Sequence, residues 1–102
     1  MTTKKKSTAV RPVLVTTANR GVFFGYSNCS LLATIATLTK VRNCLYWDTS
    51  VGGFLGLAET GPTSLCKIGK LTSGPVGLQN ITSITNVTRV AAEAWKNAVC
   101  VS

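Results

Sequence analysis

The sequence predicts a mainly β (α+β) fold: a small bent antiparallel sheet or barrel of about five strands, with one short helix in a long insert and a C-terminal helix. Short threonine-rich, β-branched segments alternate with turn residues, which is typical of strands. Near the C-terminus, alanines and a tryptophan recur at helical spacing. With 102 residues we expect residues 1–11 to form a flexible basic arm and residues 12–102 a single globular domain.

The first elements are predicted to form a hairpin. A β-branched strand over residues 13–17 follows Pro12, and a second strand covers residues 22–26. The Asn-Arg-Gly turn between them suits the change of direction because Asn and Gly tolerate positive φ. Gly25 inside the second strand predicts a bend, a bulge or the close approach of another backbone.

The middle of the chain is less regular. Residues 31–39 are interpreted as a strand or strand pair that Lys40 ends, and residues 42–47 as an aromatic-rich strand. The insert over residues 48–77 is rich in glycine and proline, and only residues 54–60 are compatible with a short helix. Long irregular inserts in small domains are usually functional.

The last part returns to regular structure. Residues 78–88 alternate as a strand, and Thr88 is placed to cap a helix from Arg89 to about Val99. Its buried stripe is predicted to pack on the sheet through Trp95 and to consist of Ala91, Ala94, Trp95 and Ala98.

The titratable residues argue against catalysis. The chain has no histidine and three acidic residues, whereas most proton transfer in enzymes uses His, Asp or Glu. Its four cysteines form no Cys-x-x-Cys pair, which argues against a zinc site and favours buried free thiols. We therefore expect no enzymatic activity, no metal and no cofactor. The net charge of +8 predicts an anionic partner.

Location and assembly follow from the apolar residues. The start of the chain is no signal peptide, and no apolar run approaches the roughly 20 residues of a membrane span. We expect a cytoplasmic protein without membrane contact. Charged residues make up only 14% of the chain. Together with apolar residues near positions 51–57 that we expect to be exposed, this predicts a homo-oligomer.

Arginines and rings share strand faces in two places, and a glycine-rich loop follows. Arginine forks bind phosphate, rings stack on bases, and a loop of glycines, hydroxyls and lysines offers N–H groups and charge. The alternative is that the rings are core, the arginines cap its edge and the loop is an ordinary surface loop. The candidate ligand-binding residues are Arg20, Phe24, Tyr26, Arg42, Tyr46, Phe54, Gly61, Thr63, Ser64 and Lys67.

Residues 11–26 resemble the opening of small bacteriophage accessory proteins. Segments similar to Cys44–Trp47, Gly53–Ala58 and Gly61–Thr63 recur in those proteins, with a closing Ala-Trp helix like residues 91–98. This resemblance covers about residues 11–98 and includes anti-defence sponges, which sequester nucleotide signals as oligomers. It implies the anti-Thoeris type, which traps cyclic ADP-ribose isomers in the host cytoplasm.

A second resemblance concerns the Sm-like RNA-binding barrel. The glycine-containing hairpin, residues 37–39 and residues 41–47 are similar to it. The chain departs from that family because the Asp or Asn of the Sm RNA-binding loop has no counterpart and because the insert over residues 48–77 is foreign to it.

Three functions therefore remain open. The first is a non-catalytic, phage-type binding protein that sequesters a phosphate-bearing nucleotide or a cyclic nucleotide signal. The second is an RNA- or DNA-binding Sm-like module, whose affinity should fall steeply with salt. The third is a virion or assembly structural protein. The modest charge outside the arm favours a small ligand or a partner subunit over long nucleic acid.

Overall fold

A computed structural model describes residues 10–18, 21–47, 51–63, 66–72 and 74–98. Residues 1–9 of the arm expected over residues 1–11 lie outside this part of the chain, whereas Arg11 belongs to a strand. Strand β1 begins at Arg11, whose guanidinium donates hydrogen bonds to Asn86 and to the carbonyls of Ser27 and Cys29. The elements in chain order are β1 (Arg11–Thr17), β2 (Val22–Ser27), β3 (Ala36–Tyr46), α1 (Phe54–Glu59), β4 (Lys67–Ile68), β5 (Val76–Leu78), β6 (Ile81–Asn86) and α2 (Arg89–Asn97).

The predicted mainly β fold with a short and a C-terminal helix is confirmed. The strands pair antiparallel in the order β4-β3-β2-β1-β6, and β5 pairs with another part of β3. Among the described strands β4 and β6 do not pair with each other, so the sheet stays open and does not close into a barrel. The described residues form six strands where the sequence predicted about five.

The predicted β1–β2 hairpin lies at the centre of the sheet. Leu14 contributes to a core beneath the two helices, whereas Val13 and Val15 contribute to a second core on the opposite face. All three side chains are fully buried. Because β1 is covered on both faces, its sequence is a continuous β-branched and leucine run rather than an alternation.

Strand β3 is one element where the sequence predicted two. Tyr26 pairs with Thr39 and Phe24 pairs with Arg42, so β3 has one more residue than β2 between these two pairs. That extra residue makes a β-bulge, and Lys40 adopts a left-handed φ of 52° within it. Gly25 lies opposite, where an added Cβ would come within 2.8 Å of the Leu38 side chain. The bulge that Gly25 predicted is therefore present.

The long insert contains more regular structure than expected. Helix α1 lies inside the predicted range, and the two short strands β4 and β5 pair with opposite ends of β3. Strands of two and three residues are too short to show periodicity, which is why the sequence did not reveal β4 and β5.

Before β3, residues 31–35 form turns and bends rather than the strand that the sequence predicted.

Helix α2 forms as predicted and packs on the sheet. The Thr88 hydroxyl accepts a hydrogen bond from Ala91 N and donates one to Glu59 O, so it caps α2 and ties it to α1. Trp95 is fully buried, and its indole N–H donates to Leu57 O at 3.0 Å. In the described part of the chain, neither helix has the length and apolarity that a membrane crossing requires.

Candidate functional site

A cleft of about 390 Å³ opens where the bulged part of β3 faces the end of α2. Of the described residues that line it, three are cationic, two are aromatic and none is acidic. The lining residues are Phe24, Tyr26, Lys40, Arg42, Leu71, Thr72 and Lys96. The structure therefore brings together three of the predicted site residues, Phe24, Tyr26 and Arg42, with two lysines.

Arg42 forms the rear of this cleft and is only 5% exposed. Its Nε donates to Gly69 O at 2.8 Å, and its Nη1 donates to Trp95 O at 3.0 Å and to Ala98 O at 2.6 Å. Cations are favourable beside the carbonyls that end a helix. Arg42 thus joins β3 to the chain after β4 and to the C-terminus of α2.

The remaining guanidinium nitrogen, Nη2, is the part of Arg42 that a ligand can reach. No described residue accepts a hydrogen bond from it. Since no buried side-chain nitrogen or oxygen of the described residues lacks a partner, Nη2 retains a small solvent-accessible surface. A buried guanidinium with one free N–H edge is a rigid donor for an anion.

Lys40 owes its position to the bulge. Its Nζ lies 5.9 Å from the centroid of the Tyr26 ring. A left-handed φ is sterically costly for any residue with a Cβ, and glycine is the usual occupant of such a bulge position. The lysine at this position has no steric advantage over glycine, so its value lies in the side chain that it presents to the cleft.

The two rings of the cleft have different roles. Phe24 is 2% exposed and stacks on Trp95, with the ring centroids 5.2 Å apart and the planes at 5°. Tyr26 meets Phe24 edge-on at 5.5 Å and is half-buried. Phe24 therefore forms the floor, and Tyr26 is the ring with surface left for a ligand.

The other predicted site residues lie outside the cleft or outside the described chain. Tyr46 is half exposed and pairs with Lys67 at the β3–β4 edge. Phe54 begins α1 and packs against the helix-side core. Arg20 and Ser64 lie outside the described residues.

Gly61 and Thr63 lie against α2, apart from the cleft. An added Cβ at Gly61, where φ is 85°, would come within 2.6 Å of the Ala94 Cβ, so glycine permits this close packing. Thr63 borders a separate hollow of about 380 Å³ together with Cys66, and the two side chains are 3.7 Å apart at Oγ1 and Sγ. This hollow carries no charged lining residue.

Four lining residues were missed in the sequence: Lys40, Leu71, Thr72 and Lys96. Lys40 was interpreted only as a strand break, because a lysine gives no local signal for a bulge position that glycine usually occupies. Lys96 is in the last turn of α2, and its approach to β3 depends on a contact between distant parts of the chain. No local pattern predicts such a contact.

The thiols of the described residues are poor nucleophiles where they are buried. Burial, reinforced by the neighbouring Cys66 thiol, raises the pKa of Cys44 from 9.0 to about 11. At neutral pH Cys44 is therefore a neutral side chain of the helix-side core. Within the described part of the chain, no three Cys, Asp or Glu side chains cluster in a way that could hold a metal ion.

Comparison with known proteins identifies one family. A domain of unknown function, DUF6948, matches residues 10–95. This range contains all six strands and every cleft residue except Lys96. No curated protein and no solved structure matches the chain. Because the match spans most of the sequence, the protein belongs to the DUF6948 family, a domain of unknown function.

Proposed function

We propose that this protein is a non-catalytic binder that sequesters a phosphate-bearing nucleotide in the cleft between β3 and α2. The observation that carries the proposal is the convergence of Lys40, Arg42 and Lys96 on a cleft that also contains the Tyr26 ring and that no described acidic residue lines. Cationic donors around a ring are the usual elements of nucleotide recognition.

Each lining residue has a distinct part in the binding. The phosphate oxygens accept hydrogen bonds from Arg42 Nη2 and from the two lysine ammonium groups. The base or ribose packs on Tyr26 and on Leu71, which is 54% exposed. Thr72 is already engaged, because its hydroxyl donates to a backbone carbonyl and accepts from Val41 N. It therefore shapes the wall and does not bind the ligand.

The size of the cleft favours a small ligand over a polymer. Its volume of about 390 Å³ lies within the roughly 300–1,000 Å³ range of small-molecule sites. Long nucleic acid is normally bound along an extended basic groove. A cyclic nucleotide or an ADP-ribose isomer offers a phosphate group and a base within a compact molecule. We therefore place the nucleotide-sequestering function ahead of the RNA- or DNA-binding module.

The same residues support sequestration rather than turnover. The chain has no histidine, and of the two described carboxylates neither Glu59 nor Glu93 lines the cleft. Among the described residues, a bound nucleotide would therefore meet cations and a phenol but no general base. This chemistry suits an anti-defence sponge of the bacteriophage type, which acts in the host cytoplasm by holding a cyclic nucleotide signal intact.

Thermal-shift measurements test the proposal. Cyclic ADP-ribose, ADP-ribose and 3′,5′-cyclic AMP serve as probes, and adenosine serves as a control that has the base and ribose without phosphate. A ligand at 100 times its Kd stabilises the fold by about 2.7 kcal/mol, so at least one phosphate-bearing probe should raise Tm clearly while adenosine does not. The bound probe should be recovered unchanged after denaturation.

Two other outcomes would support the two alternative functions. If no nucleotide changes Tm and the protein instead retains RNA in a strongly salt-dependent manner, the nucleic-acid-binding function replaces this one. If neither nucleotides nor nucleic acids bind, a virion or assembly role is favoured.

A further inference from the structure

We infer that the face of the sheet opposite the helices binds a second copy of this chain. The contact surface, called the neutral surface here, consists of the exposed turn over residues 31–35 and the hollow beside it. That hollow has a volume of about 500 Å³ and is lined by Ser27, Asn28, Cys29, Ile35, Ala36, Thr37, Gly77, Leu78 and Gln79.

The turn presents apolar side chains to solvent. Leu32 is 90% exposed and Ile35 is 67% exposed, and Leu31 beside them is 47% exposed. The turn is anchored, because Ile81 N donates to Thr34 O and Ala33 packs against the core on this face of the sheet. A fixed turn with three exposed aliphatic side chains is typical of an interaction surface.

The distribution of charge identifies the occupant. Residues 21–39 and 71–88 contain no charged side chain, and the β3–β5 pairing joins these two segments. All nine lining residues of the hollow come from them. With a net charge of +8, most orientations of two copies repel each other. Contact through the neutral surface involves one nearby cation per copy, Arg11, whose guanidinium is already held by Asn86 and by the carbonyls of Ser27 and Cys29. An anionic lipid surface or a nucleic acid would require several free cations at this place.

The shape of the neutral surface suits a two-fold contact. Such a contact needs a surface that complements itself, with a protruding group and a recess on each copy. Leu32 is highly exposed in the turn, and Cys29, two residues before the turn, and Ile35, its last residue, line the hollow. In a two-fold arrangement, the Leu32 side chain of each copy would enter the hollow of the other.

Gly77 in the lining of the hollow is consistent with close approach by another chain. An added Cβ there meets nothing within 4 Å, and its φ is not in the left-handed region. The chain's own packing therefore does not require glycine in β5, where a residue with a side chain is usually favoured. A partner that comes close to the β5 backbone would require it.

The neutral surface and the nucleotide cleft are independent. They share no lining residue. The floor of the cleft, Phe24, belongs to the helix-side core, whereas Leu78 of the hollow belongs to the core on the other face. The sequence predicted exposed apolar residues near positions 51–57. Val51 and Leu57 are instead buried in the helix-side core, whereas Leu55 is 55% exposed.

Sedimentation velocity of the full chain from about 1 to about 100 μM tests the inference. The wild type should sediment with twice the 10.7 kDa monomer mass in the upper part of this range. Leu32→Lys and Ile35→Lys should weaken association at least tenfold, since each buries an unpaired charge at the contact. Val90→Lys is the matched control, because Val90 is 69% exposed on α2 and the charge change is identical.

Gly77→Lys tests association in a variant that we expect to fold normally. Its side chain meets open space in the single chain, so Tm should be preserved while the dimer is lost. A monomeric wild type at the highest concentration overturns the inference, and so does a dimer that all three lysine variants leave intact. Binding of a monomeric wild type to phosphatidylcholine vesicles would overturn it in favour of a lipid surface.

Discussion

Lys40 shows how a single residue links backbone strain to the candidate site. Its φ of 52° is unfavourable for a residue with a Cβ and normal for glycine. Strained residues of this kind often lie at functional sites, where the side chain has a role that outweighs the backbone cost. The bulge directs the ammonium group over the Tyr26 ring and into the cleft.

Two substitutions at Lys40 separate the backbone from the side chain. Both Lys40→Gly and Lys40→Ala remove the cation, but only glycine relieves the strain. We expect Lys40→Gly to be more stable than Lys40→Ala by about 1 kcal/mol in chemical denaturation, the reverse of the usual order in strands. Both should weaken nucleotide binding to a similar degree. A more stable alanine variant would contradict the left-handed conformation.

Cys44 predicts how stability changes at alkaline pH. Burial raises its pKa to about 11 in the folded protein, against 9.0 in the unfolded chain. Between these values the unfolded chain releases the thiol proton and the folded protein keeps it, so stability falls as pH rises from 9 towards 11. Below pH 9 the thiol is protonated in both states and contributes no pH dependence.

The measurement compares the wild type with Cys44→Ala by chemical denaturation under reducing conditions. Other groups titrate in the same range, but they are common to both proteins. We expect the wild type to lose about 2 kcal/mol more than the variant between roughly pH 8 and pH 10.5. Parallel curves over the whole range would show that the Cys44 thiol is accessible to water.

At the scale of the elements, Arg42 holds β3, the chain after β4 and the end of α2 together through three hydrogen bonds to carbonyls. Arg42→Ala removes the donor from Gly69 O and Ala98 O and leaves Trp95 O with only its bond from Ala98 N, so we expect the free energy of unfolding to fall by about 3 kcal/mol. Arg42→Lys should retain part of the stabilisation that Arg42 provides. Lys96→Ala, on the exposed side of α2, should change stability by less than about 0.5 kcal/mol. A surface-like effect of Arg42→Ala would contradict this linking role.

The elements also show what the sequence can and cannot predict. The β1–β2 hairpin, α1, and α2 with its Thr88 cap follow from local periodicity and capping, and all are present. Strands β4 and β5 have two and three residues, and they exist only because β3 offers free edges at both ends. The continuity of β3 through Lys40 likewise depends on its pairing with β2, and local propensity cannot predict that pairing.

The same distinction applies to the candidate site. Strand parity correctly separated Phe24 from Phe23, since the two rings pack against different cores. Pairing then placed Arg42 opposite Phe24, so this part of the site could be predicted from the strands. Leu71, Thr72 and Lys96 reach the cleft through the packing of the insert and of α2 on the sheet. That packing is tertiary and leaves no signal at fixed spacing.

At the scale of the whole molecule, the sheet separates two surfaces with opposite character. The helix side carries the cationic cleft, and the other side carries the neutral surface. A dimer formed through the neutral surface would leave both clefts open to ligand. Ligand binding and association should therefore be affected by different substitutions, so that a defect in one leaves the other intact.

The most direct test of the central claim is a calorimetric titration with cyclic ADP-ribose and ADP-ribose, which compares Lys96→Ala with Lys67→Ala. Both variants lose one lysine, but only Lys96 lines the cleft, whereas Lys67 is exposed on β4. Removal of a charge-assisted contact costs roughly 1.5–3 kcal/mol. The Kd of the Lys96 variant should therefore rise by about ten- to a hundredfold, while the Lys67 variant binds like the wild type. Equal losses in both variants, or no heat with either nucleotide, would contradict a nucleotide site in this cleft.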